Sequence, residues 1–207
     1  MSKLEQDKWD GYFYPGTETL VNLPGITDLD TLTAWTRACT AARAVQLYHQ
    51  PPHELSPSKL LMAVHYELFR DSFSWAGTLR DVNIMKNNSW NPNNPTLFLS
   101  YESIPRYLDY IDTFASSYSW EGLSFDDKVH QLATIHAHLD YAHPFREGNG
   151  RALRLAMEFL AQRYGVEIRW GKISKELHLL ATSAVFFTGD VNPEPAIALY
   201  REITTAL

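Results

Sequence analysis

The sequence predicts a mainly α-helical domain. Apolar residues recur at helical spacing in about seven segments, one stretch alternates with a period of two, and no strand–helix–strand succession occurs. Residues 1–26 read as an irregular arm: Trp9, Tyr12, Phe13 and Tyr14 precede the turn pair Pro15-Gly16, and those rings are expected to pack on the core. The rest, residues 27–207, reads as one domain. A helix opens at Thr27, is favoured by Asp28 and Asp30 in its first turn, and runs to about Tyr48 before Pro51-Pro52 stop it. Ser56-Pro57 is a cap followed by a first-turn proline. Leu60, Leu61, Val64, Leu68 and Phe69 then hold helical spacing to about Ser74.

The alternating stretch is Leu79–Met85, with Leu79, Asp81, Asn83 and Met85 on one face and Arg80, Val82 and Ile84 on the other. With the short apolar run Thr96–Leu99 it suggests two strands around a polar loop, Lys86–Asn94. An isolated hairpin is marginal, so this one, over residues 79–99, must lean on the helices. Helices are expected over Ile104–Phe114, Ser124–Ala142, Asn149–Tyr164, Ser174–Phe187 and Asn192–Ala206. Ser124 with Asp127 resembles a capping box, Pro144 pushes His143 out of helical conformation, and Asn192-Pro193 would start the last helix.

The length of 207 residues supports a substantial core. A formal net charge of −6 argues against general phosphate-backbone binding, so no nucleic-acid partner is expected. No apolar run approaches a membrane span, and Met1–Asp10 lacks the apolar stretch of a signal peptide. The lone Cys39 rules out an intrachain disulfide and a cysteine-based zinc site, and a reducing cytoplasm fits.

Chemistry concentrates in His143-Pro-Phe-Arg-Glu-Gly-Asn-Gly-Arg151-Ala-Leu-Arg154, between a helix that ends and a helix that begins. Gly148-Asn149-Gly150 at a helix start lets backbone N–H groups meet an anion unobstructed, aided by the helix dipole. Arg151 and Arg154, three residues apart, share a helix face and can reach one polyphosphate. Glu147 at the mouth of this cradle would repel a phosphate unless a divalent cation bridges them, so Mg²⁺ is implied. His143 precedes the cradle on a proline-fixed turn, where it can act as a base. The bland alternative is a polar turn with solvated arginines. Eight specified positions coincide here, with a chance occurrence on the order of 10⁻⁹ to 10⁻⁸ in a chain this long, and that disfavours it.

From His143 to Arg154 the stretch resembles the signature of Fic domains, His-x-Phe-x-(Asp/Glu)-Gly-Asn-Gly-Arg-x-x-Arg. Tyr14-Pro-Gly-Thr, the segment Phe73–Val82 and the helix before the signature are also similar to short bacterial Fic proteins. The resemblance implies a helical fold with a hairpin flap, and transfer of AMP from ATP to a Tyr, Thr or Ser hydroxyl of a target protein. It implies that His143 takes the hydroxyl proton, Glu147 holds Mg²⁺, and Gly148, Asn149 and Gly150 cradle phosphate oxygens. Arg151 and Arg154 would bind the β- and γ-phosphates, and Phe145 would anchor the loop. The flap would align the target segment by adding a strand. Many relatives carry Lys-Gly at the flap turn; Lys86-Asn87 stands there in this chain, and the likeness implies nucleotide contact from that pair. Other chemistries on the same fold are a different phosphate-bearing donor or removal of AMP, and a non-catalytic alternative is a module that only holds nucleotide.

Two further patterns compete. His136-Ala-His138-Leu-Asp140 matches half of a metallo-hydrolase motif, but on a helix positions 136 and 138 point about 200° apart and cannot share a metal. The expected reading is a partly buried His136 and a surface His138. Ser117-Tyr-Ser-Trp-Glu121-Gly122 matches the family's inhibitory pattern (Ser/Thr)-x-x-x-Glu-(Gly/Asn), yet it falls between two core helices and reads as accidental. The brake is therefore expected from a small antitoxin-like partner carrying that pattern in trans, with this chain as the toxin.

Overall fold

The computed structural model describes residues 3–88, 91–174 and 191–207. Among these are seven α-helices, one of them a buried rod: α1 (Lys3–Asp10), α2 (Leu29–His49), α3 (Pro57–Phe69), α4 (Ile104–Ser116), α5 (Phe125–Ala142), α6 (Asn149–Arg163) and α7 (Glu194–Ile203). The rod is α5, which buries Val129, Leu132, Ala133, Ile135, Ala137 and Leu139 and so is apolar on nearly every side. Helices α4, α6 and α7 pack on it, α3 lies against α6 and α4, and α2 covers α3. None of the described helices is long and apolar enough to cross a membrane.

Local signals set the helix ends. The Asp28 carboxylate accepts the Thr31 N–H at 2.9 Å and caps α2. The Ser124 hydroxyl accepts the Asp127 N–H at 3.1 Å and donates to the Asp127 carboxylate at 2.6 Å, starting α5. Ser56 makes no such cap. Asp112 of α4 does the work instead, accepting the Ser58 N–H at 2.8 Å and both serine hydroxyls at 2.6 Å. One carboxylate therefore satisfies the start of α3 and ties it to α4.

The hairpin does not lie where the alternation suggests. Its strands are β1 (Met85–Asn88) and β2 (Asn91–Leu97), antiparallel; they extend into Lys86–Asn94, the stretch expected to be loop, and meet the expected strands only at Met85 and Thr96–Leu97. Leu79–Ile84 alternates for another reason: Arg80 and Val82 are buried beneath the C-terminal end of α5, and the Arg80 N–H donates to Pro144 O at 2.8 Å rather than to a partner strand. The arm is not wholly irregular, since α1 forms before a bridge between Phe13 and Leu20. The last helix stops at Ile203. Thr204–Ala206 (β4) then pairs antiparallel with Val166–Ile168 (β3), a β-branched pair of threonines leaving the helix to close a small second sheet. The helix expected over Ser174–Phe187 lies, beyond Ser174, outside the described residues.

Candidate active site

At the C-terminal end of α5 the chain turns through His143 with φ of 40°, a left-handed conformation, and reaches the start of α6 five residues later at Gly148, φ 84°. The turn borders a cavity of about 460 Å³. Of the sequence-predicted residues, His143, Glu147, Gly148, Asn149, Gly150, Arg151, Arg154 and Lys86 line it, and Asn87 follows Lys86 in β1. Ile84, Met85, Thr96 and Phe98 form the opposite wall, so the hairpin and the cradle face one space.

The His143 ring stacks on Phe98, centroids 3.7 Å apart. Its Nδ1 lies 3.2 Å from the Asp140 carbonyl and 3.5 Å from the Asp140 carboxylate. A carbonyl can only accept, so Nδ1 carries the proton and Nε2 holds the lone pair. The tautomer suits a base.

The loop is braced from within. Phe145 is fully buried and stacks on His65 at 3.6 Å, which in turn stacks on Phe69 at 4.7 Å. His65 Nε2 donates to the Glu147 carbonyl and its Nδ1 accepts the Gly77 N–H, each at 2.9 Å. The Asn149 carboxamide accepts the Phe145 N–H at 2.9 Å and donates to the Phe145 carbonyl at 2.7 Å. Its side chain thus shapes the cradle from behind. Gly148 is a steric necessity, because a Cβ there would come within 2.3 Å of the Phe69 ring.

Arg80 is the second brace. Although it is 3% exposed, it has no carboxylate among its hydrogen-bond acceptors. Nε donates to His143 O at 2.9 Å, Nη1 to Val82 O at 2.7 Å, and Nη2 to the carbonyls of Leu99 and Ala142. Burial lowers its pKa to about 10, so it remains charged at neutral pH. One guanidinium therefore joins the base of the hairpin to the end of α5. Sequence reasoning gave neither His65 nor Arg80 a role; for Arg80 the signal was a cation sharing a face with Val82 and Ile84.

The charges at the mouth are arranged in pairs. Arg151 Nη2 is 3.2 Å from Glu147 Oε1, and its guanidinium sits 4.6 Å over the Phe69 ring. Arg154 is half-buried; burial and then the nearby Arg151 lower its pKa, while Asp140 and Glu158 act against this. Among the described residues no cluster of three or more His, Cys, Asp or Glu could hold a metal alone. His136 bonds the Tyr200 hydroxyl at 2.9 Å and His138 the Tyr107 hydroxyl at 2.6 Å, so the two part company as helix geometry requires. His138 is half-buried rather than a surface residue, because α4 presents Tyr107 to it. Glu121 is exposed beyond the N-terminal end of α5, a helix about 27 Å long with the site at its other end.

Burial holds His65 near a pKa of about 4, against 6.5 when unfolded. The neutral form is the one folded in, so its stabilisation is complete above pH 6.5 and is lost as pH falls through 4. The linked loss is roughly 3 kcal/mol. Urea unfolding followed between pH 7 and pH 3.5 should show this slope, and His65→Leu should flatten it while lowering stability at pH 7.

The Fic/DOC family model matches residues 55–161. The chain is 31% identical over 206 residues to a protein adenylyltransferase of Bartonella henselae, covering 93% of this chain and 37% of that protein. A Salmonella typhimurium relative, named "Probable protein adenylyltransferase Fic", is 31% identical over 81% of this chain and 80% of its own. The crystal structure of BepC from Bartonella tribocorum with bound AMPPNP superposes with a TM-score of 0.83 and 28% identity, over 96% of this chain and 98% of that one. Against the Bartonella henselae relative, then, this chain spans little more than a third of the length.

Proposed function

The chain belongs to the Fic/DOC family, and on that premise we propose that it transfers AMP from ATP to a hydroxyl side chain of a target protein. The observation that carries this reading is the shared cavity: His143 lines the same 460 Å³ space as the cradle, both arginines and the hairpin. The target hydroxyl oxygen attacks the α-phosphorus and the bond to pyrophosphate breaks. His143 Nε2 accepts the hydroxyl proton as the new P–O bond forms, with the Asp140 carbonyl holding Nδ1–H. Backbone N–H groups at the start of α6 face the phosphates, and Arg151 and Arg154 neutralise their distal charge. Asn149 keeps the cradle open by bonding the loop behind it. Lys86 adds a cation on the hairpin side, with Asn87 next to it in β1.

Glu147 is the residue that would hold Mg²⁺. Its carboxylate is half-exposed at the cavity, and one hard oxygen ligand completed by phosphates and water suits that ion. Bound there, the cation would supply charge neutralisation between carboxylate and polyphosphate.

Among the described residues β1 and β2 pair only with each other, which supports target docking by strand addition. Regulation by a small antitoxin-like partner, with this chain a cytoplasmic toxin, fits a second cavity of about 690 Å³ that shares Arg151 and Arg154 with the first and adds Arg37, Leu29 and Leu32. A partner carboxylate and the γ-phosphate would compete for Arg154, making the two mutually exclusive.

Incubation with α-labelled ATP should label a protein in a lysate, and γ-labelled ATP should not. Label retained from the γ-phosphate, or labelling indifferent to His143, would overturn the assignment. Docking has its own test. A proline at Thr96 or Leu97, which pair with Lys86 and Met85 in the hairpin, should reduce transfer to the protein target by about tenfold or more while leaving the Lys86 side chain in place and ATP binding within a small factor of the parent. Unchanged transfer by both variants would remove the hairpin from target alignment.

A further inference from the structure

The loop between His143 and α6 is fixed from the core at Pro144, Phe145 and Glu147, through Arg80, Asn149 and His65. Position 146 is held differently. The Arg146 guanidinium lies 4.3 Å from the Trp9 ring, 4.9 Å from Phe13 and 5.5 Å from Tyr12, an aromatic cage built by α1 and the turn after it. Its buried Nε has no hydrogen-bond partner among the described residues, so at that atom ring faces take the place of an acceptor. The cage is itself anchored: the Tyr12 hydroxyl donates to Asp81 at 2.7 Å, beside Arg80 in sequence. Arg146 borders both cavities, and its neighbour Glu147 faces the phosphate end of the site.

We propose that the N-terminal arm is a working part of the active site, and that Arg146, clamped by Trp9, Tyr12 and Phe13, is a positioning residue that sets the loop carrying Glu147 for the metal-bound polyphosphate. The proposal deepens the reading of this cavity as an ATP site and rests on it. A guanidinium is suited to the task, because its flat, weakly hydrated face lies against rings while a solvated ammonium does not. The arm, remote in sequence from the signature, thereby acts on nucleotide binding through the loop, with Trp9 itself at the cavity wall.

The test uses the full chain carrying Trp9→Leu, Trp9→Phe, Arg146→Gln and the double variant Trp9→Leu/Arg146→Gln. ATP affinity is measured by calorimetry with Mg²⁺, together with hydrogen exchange of the amides at 145–150. Trp9→Leu and Arg146→Gln should each weaken affinity by about tenfold and raise KM for ATP more than they lower kcat. The double variant should be little worse than either single one, and Trp9→Phe should stay within about twofold of the parent. Exchange at 145–150 should quicken in the two single variants. If Trp9→Leu lowers thermal stability but leaves affinity and loop exchange unchanged, or if the single effects simply add, the cage is packing only and the proposal falls. If the parent itself neither binds ATP nor labels protein while loop exchange still answers to Trp9, the adenylyl-transfer reading fails and the clamp stands.

Discussion

His143→Ala should cut AMP transfer by at least about 10²-fold while leaving ATP affinity within a small factor of the parent. The expectation follows from what the imidazole touches. It stacks on Phe98 and bonds the Asp140 carbonyl, so no phosphate-holding group depends on it. The cradle is kept in shape by Asn149, His65 and Gly148, all of which the substitution leaves alone. The loss should therefore fall on kcat, and it should shrink for a target whose hydroxyl is more acidic. Single-turnover labelling with saturating ATP checks it. Equal rates for variant and parent would show that the hydroxyl proton leaves by another route.

Arg80→Met should be the most damaging change outside the cavity, lowering unfolding free energy by about 3 to 5 kcal/mol. Methionine fills much of the arginine stem's volume, so the effect isolates the donors. Four carbonyls, of Val82, Leu99, Ala142 and His143, lose their shared partner in a buried setting. Arg80→Lys should rescue only part of this, because one ammonium with three protons cannot reproduce a fork serving four acceptors. A urea midpoint shift at constant m value is the measurement. In the fraction that remains folded, transfer to protein should fall further than ATP binding, since the hairpin base and His143 lose their common tie. A shift below about 1 kcal/mol would mean that water replaces the guanidinium at little cost.

The residues differ in how far the sequence revealed them. The cradle was legible because its requirements are local: glycines for positive φ and an unobstructed helix start, a proline to end α5, and arginines one turn apart. The capping of α5 was legible for the same reason. Arg80 was not, since an alternating extended stretch looks the same whether its N–H groups meet a partner strand or, as here, Pro144 O. Asn149 lines the cavity with the rest of the signature, but only tertiary geometry reveals that its carboxamide turns inward to Phe145. The short α1 and the β3–β4 pair exist through contacts distant in sequence and are too brief for periodicity to register.

The backbone at His143 sits in a region of φ that L-residues avoid, at a cost of about 1 kcal/mol, and glycine is the residue helix ends ordinarily prefer there. On the proposed mechanism, backbone ease and the need for an imidazole therefore pull position 143 in opposite directions. A glycine there would relieve the backbone but give up the ring's stacking on Phe98 and its bond to Asp140, and would remove the proposed base. On the proposed mechanism, His143→Gly is therefore the form expected to hold ATP without turning it over, and the one suited to structural work on the bound state.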